Sequence, residues 1–132
     1  TAVLWREIRD VAPYADGTDR PLWRVSMPPS RGHELVAGLR LRAGVDAFYD
    51  WQGGLIWMRM EADPEADVLR HGIRTLGGGH ATLVRANSAV RAATPAFEPQ
   101  SRAVALLSER VREKLDPFGI FNPGLMTSGV SQ

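Results

Sequence analysis

The chain has 132 residues, one domain's worth at roughly 100–200 residues per domain. Apolar residues make up 44% and charged residues 23%, the proportions of a globular domain rather than of a disordered tail or a membrane protein. Sixteen basic against fifteen acidic side chains leave a formal charge of +1, too weak a field to argue for nucleic acid or anionic lipid. No window reaches the roughly 18 uninterrupted apolar residues of a spanning helix. Cysteine is absent, which removes disulfides, thiol nucleophiles, cysteine-ligated zinc and iron–sulfur clusters together. The chain opens at Thr1 in mid-phrase, without a basic-then-apolar leader, and is expected to be a piece of a longer protein.

In chain order, Leu4, Ile8 and Val11 recur at i, i+4, i+7 and predict a short amphipathic helix over 3–12. Leu22 to Met27 alternates, with Trp23, Val25 and Met27 on a core face and Leu22, Arg24 and Ser26 opposite, as a strand does. Ser30 is the expected N-cap of a helix carrying Leu35, Val36 and Leu39. Two strands follow, Val45–Trp51 and Leu55–Glu61, around Gly53-Gly54, a pair able to supply the positive φ of a hairpin turn. Asp63-Pro64 reads as an N-cap with proline at the first helical position. Ala66, Leu69, Ile73 and Leu76 then form a helical stripe, Gly77-Gly78-Gly79 ends it, and His80–Ala86 reads as a fourth strand.

The order strand, helix, strand, strand, helix, strand predicts an α+β, ferredoxin-like antiparallel sheet with helices on one face and the first and third strands central. Residues 1–20 form a connecting helix and loop, 21–93 the core, and 94–132 a helix with Val104, Leu107, Val111 and Leu115 in register and then a tail.

Candidate chemistry is sparse. His33, His71 and His80 show no HxxxH or HExxH spacing, so no metal site is expected. The triple glycine ends a helix and opens a strand, the reverse of a dinucleotide loop, and meets the negative end of a helix dipole. No GxSxG or activated serine occurs. An RNA-binding sheet needs outward aromatics with a basic surround, and Trp57 alone qualifies. The helix-free sheet face is expected to expose Leu22, Leu55 and Trp57 around Arg24 and Arg59. It reads either as a partner surface or ligand roof, or as a solvated face with incidental arginines. His80, following three glycines, is placed to face a cavity.

The run Asp116-Pro117-Phe118-Gly119-Ile120-Phe121-Asn122-Pro123-Gly124 after LSERVREKL resembles the C-terminal signature of FAD-linked oxidases of the vanillyl-alcohol oxidase and p-cresol methylhydroxylase type. PLWRVSMPPS, WQGGLIWMRM and GGHATLVRA resemble, more narrowly, the FAD-binding E-type subunits of bacterial glycolate oxidases. The resemblance implies a cap domain roofing a substrate over flavin, with FAD held by an N-terminal domain that this sequence lacks. It implies a complex with a D-type and an iron–sulfur F-type subunit that oxidises glycolate to glyoxylate, cytoplasmic or peripheral at the inner membrane. The metal-binding histidines of related 2-hydroxy-acid dehydrogenase caps have no counterpart here.

On this reading Arg24 and Arg59 converge on the carboxylate of a small 2-hydroxy acid, Trp57 supplies an apolar wall and His80 faces the site. Asn122, Pro123 and Gly124 form a docking strap, since Pro123 biases Asn122 toward extended geometry and Gly124 permits close backbone approach. By itself the chain is expected to bind no FAD, to be inactive, and to self-associate weakly. The other reading is a stand-alone ferredoxin-like module that binds a ligand or dimerises without catalysis.

Overall fold

A computed structural model describes residues 1–121. Its order is α1 (Ala2–Arg9), β1 (Leu22–Ser26), α2 (Gly32–Arg40), β2 (Val45–Asp50), β3 (Leu55–Met60), α3 (Ala66–Thr75), β4 (His80–Arg85), α4 (Ser88–Ala93) and α5 (Arg102–Leu115). All strand pairs are antiparallel in the order β2-β3-β1-β4, so the ferredoxin-like arrangement is present, with the first and third strands central.

Period-two alternation turns Trp23, Val25, Ile56, Met58, Met60, Ala81 and Leu83 toward the helices, where all are buried. From the other side Leu35, Val36 and Leu39 of α2 and Leu69 and Ile73 of α3 complete the core. The Trp23 indole is satisfied within it, Nε1 donating to the Pro64 carbonyl at 2.8 Å.

Several boundaries differ from the sequence expectation. The N-cap of α2 is Arg31, not Ser30, and makes no side-chain cap bond. Gly32 is the first helical residue, and a Cβ there would stand 2.7 Å from Ile56 Cδ1. Asp63-Pro64 does not cap α3; the helix begins after Glu65, at φ 51°, and the Pro64 carbonyl accepts from the Trp23 indole instead. The β2–β3 turn runs through Trp51 and Gln52 at φ 49° and 56°. Gly53 shares the left-handed region at φ 91°, whereas Gly54 sits at φ −76°. Asp50 organises that turn by accepting from the Trp51 amide at 2.7 Å, so Trp51 leaves the strand. The first helix stops at Arg9, and α4 is a helix that no apolar stripe announced; Asn87 caps it by accepting from the Val90 amide at 2.9 Å.

The triple glycine is a helix stop, as expected. All three residues have positive φ, and a Cβ on Gly79 would overlap the Ser26 carbonyl oxygen.

Candidate functional site

The helix-free face of the sheet is built of three rows read from the strand register. Asp46, Arg59, Leu22 and Arg85 form the first; Phe48, Trp57, Arg24 and Thr82 the second; Asp50, Leu55, Ser26 and His80 the third. Arg24 therefore faces Trp57 across the central strands, and Arg59 is its diagonal neighbour, roughly 7–8 Å away between backbones.

The first row is roofed by the segment after α1. Tyr14 is 5% exposed; its ring lies 5.3 Å from that of Phe48 and 4.8 Å beneath the Arg59 guanidinium. Asp16 clamps the segment down. One carboxylate oxygen accepts from Arg59 at 2.5 Å and the other faces Arg85 at 3.4 Å. Arg59 also donates to Asp46 at 2.7 Å, and Arg85 to the Tyr14 carbonyl at 2.6 Å. The Asp16-Gly17-Thr18 turn preforms the clamp, because the Thr18 amide and hydroxyl both donate to Asp16 at 3.1 and 2.8 Å.

Those Thr18 bonds, with help from Arg59 and Arg85, hold the Asp16 carboxyl below the usual aspartate range against the opposing effect of desolvation. Burial, reinforced by the Asp46 charge, pushes the Tyr14 phenol upward. The expectation of an apolar patch is overturned: Leu22 and Leu55 are each only 5% exposed. Trp57 is half-buried.

The expected site residues thus have distinct positions. Arg59 already carries two carboxylates and does not present a free guanidinium edge beside Arg24. Arg24 is half-buried, and among the described residues no carboxylate pairs with it. Trp57 is its cross-strand neighbour and Thr82 its neighbour on β4. His80 is exposed at the end of the face, opposite Ser26, one row away. Asn122, Pro123 and Gly124 lie outside the described residues.

Sequence reasoning did not single out Tyr14, Asp16, Asp46 or Arg85. Only the Asp-Gly-Thr turn chemistry around Asp16 offered a local signal.

Asp116 accepts from the Ile120 and Phe121 amides at 2.9 and 2.8 Å, with Gly119 at φ 62°. Those amides hold its carboxyl below the ordinary range. The turn presents Phe118, Ile120 and Phe121 uncovered, alongside the uncovered α5 stripe of Val104, Leu107, Val111 and Leu115.

On the opposite layer, a groove of about 410 Å³ separates α2 and α3, with Leu35, Leu39, Val68 and Leu76 as its apolar floor and His71 at its rim. No group of three or more His, Asp or Glu side chains able to hold a metal occurs among the described residues. Nor do they fit the pyrophosphate of a dinucleotide. Gly77–Gly79 packs against Ser26, Met27 and Pro28 at the carboxyl end of a helix, leaving no phosphate cradle.

Over 123 residues the chain is 30% identical to Glycolate oxidase subunit GlcE of Escherichia coli (strain K12). The chain is similar to part of a glycolate oxidase subunit. The match covers 93% of this chain and 31% of the relative, so the chain spans about a third of that protein's length. It agrees with the resemblance carried by the FNPG run and the strand segments. No protein-family model matches the chain, and no solved structure matches it.

Proposed function

We propose that the chain is the C-terminal cap and docking region of a glycolate oxidase-type subunit, roofing a flavin site while a small 2-hydroxy acid is oxidised to the 2-oxo acid. The similarity to GlcE along nearly the whole chain carries this reading and favours it over a stand-alone binding module. FAD would supply the hydride-accepting chemistry from a domain outside these residues, since the glycine cluster among the described residues offers no phosphate cradle.

Within the cap, residues 21–93 form the sheet that covers the substrate. Residues 1–20 connect it to the flavin domain, and 94–132 return to dock on that domain through the uncovered Phe118, Ile120 and Phe121 and through Asn122, Pro123 and Gly124. Arg24 is the carboxylate-holding side chain. Its planar fork binds a carboxylate bidentately and stays charged at any working pH. Trp57 walls the site and His80 stands at its edge, while Arg59 orients the Tyr14 roof. The remaining partners are D-type and iron–sulfur F-type subunits in a cytoplasmic complex reaching the periphery of the inner membrane. No described helix is long and apolar enough to cross that membrane.

The experiment is a split-subunit assay. The flavin-bearing part is produced with and without this chain, and glycolate-dependent dye reduction is followed, with flavin absorbance of each part after incubation with FAD and desalting. Flavin in the larger part only, and turnover only when both are present, is the expected result. Stoichiometric flavin retained by this chain alone overturns the assignment.

A further inference from the structure

The sheet face carries three guanidinium groups, from Arg24, Arg59 and Arg85, within two adjacent rows. Two of them are already neutralised. Asp16 sits between Arg59 and Arg85, and Asp46 takes the second edge of Arg59. The Arg59 side chain is 16% exposed and that of Arg85 25%, so a solute reaching Arg24 meets a roofed, charge-balanced first row beside it. Asp50, the remaining acid of the face, stands two strands from Arg24 on the edge strand and is occupied by the Trp51 amide.

We propose that Asp16 and Asp46 determine specificity by masking Arg59 and Arg85, leaving Arg24 to accept acids with a single carboxylate and excluding those with two. This rests on the reading of the face as the substrate site. A dicarboxylate bound through Arg24 finds no unpaired guanidinium in the adjacent first row for its second carboxylate, because Asp16 and Asp46 already hold Arg59 and Arg85. The second carboxylate is then desolvated against a charge-balanced row with no cation to offset the cost, and the acid is disfavoured. A monocarboxylate presents only its small uncharged end there.

Asp16→Asn removes a mask together with the ionic clamp on the segment after α1, whereas Asp46→Asn leaves that clamp in place. In Asp16→Asn the amide oxygen still accepts from the Thr18 amide and hydroxyl, so the turn keeps its internal bonds while the charge is gone. Asp46 lies on an edge strand with its side chain 61% exposed, so Asp46→Asn removes a surface carboxylate.

The test compares kcat/KM for glycolate and for malate, a 2-hydroxy acid with a second carboxylate, in the assembled oxidase complex. Four forms are used: wild type, Asp16→Asn, Asp46→Asn and Arg24→Met. The Asn variants are expected to raise the malate-to-glycolate ratio by about 10- to 100-fold, the span of one charge-assisted hydrogen bond gained. Arg24→Met is expected to lower kcat/KM for both acids. If Arg24→Met depresses glycolate turnover but neither Asn variant moves the ratio, the masking role is wrong and the substrate site stands. If Arg24→Met leaves glycolate turnover unchanged in an assembled complex, the underlying site reading is wrong. Should Asp16→Asn fail to assemble, Asp46→Asn alone decides, because its side chain carries no part of the strap's own turn.

Discussion

Arg70 offers the most exacting check on how the segment after β4 is held. It is 5% exposed and projects from α3 under that segment, donating to the Pro95 carbonyl at 2.6 Å and the Phe97 carbonyl at 2.9 Å. Its Nε faces Glu98 at 3.4 Å, and its guanidinium lies 5.3 Å from the Trp23 ring. Replacing it by methionine keeps the apolar stem against Trp23 but deletes every polar bond. Two hydrogen bonds from a charged donor are worth about 1.5–3 kcal/mol each, and the freed carbonyls, on exposed residues, regain water, so the lower end of the sum applies: about 3 kcal/mol. For a chain of this length that is a fall in Tm of about 10 °C. Thermal unfolding followed by circular dichroism measures it. Hydrogen exchange adds a local readout, because the Leu83 amide donates to Ala96 in the same segment at 2.7 Å and should lose protection disproportionately. A Tm within about 2 °C of wild type, with Leu83 still protected, would refute the claim that Arg70 clamps residues 95–98 to α3.

Further outcomes follow from the same geometry. Gly79→Ala should abolish the folded state or cost about 3 kcal/mol or more in urea unfolding, because the added Cβ overlaps Ser26 at φ 137°. Gly38→Ala, in open space on α2, should instead stabilise by about 0.5–1 kcal/mol; a loss would mean that α2 tolerates no side chain there. Asp16 has a depressed folded-state pKa, so its contribution is present above the ordinary aspartate value and is lost as pH falls through the lower folded value. An NMR titration of its carboxyl should accordingly give a midpoint below the usual range, and Thr18→Val should move that midpoint upward. Leu107→Glu and Val111→Glu should reduce hydrophobic-dye binding or self-association of the chain without lowering Tm, since both side chains are half or more uncovered. An unstable double variant would instead place them in a packed core.

The order of elements was legible because it is written in local periods. Trp23-x-Val25-x-Met27 and Ile56-x-Met58-x-Met60 alternate, while Leu69 and Ile73 repeat at helical spacing, and each pattern needs only neighbours in the chain to be read. Turn chemistry was legible where one residue type suffices, as at Gly77–Gly79, and failed where a distant group intervened, as when the Trp23 indole claims the Pro64 carbonyl that an N-cap reading had assigned to a helix start. Arg24 could be placed on the outward face from alternation alone. That Arg24 lacks a carboxylate partner among the described residues, while Arg59 is bound to Asp16 and Asp46, could not be read there. The Asp16 contacts with Arg59 and Arg85 span 43 and 69 positions, and the Arg70 bonds to Pro95 and Phe97 span 25 and 27. No periodicity carries such pairings: they exist only once the sheet has brought the strands into register, and that closure decides which of three similar arginines is left without a carboxylate partner among the described residues.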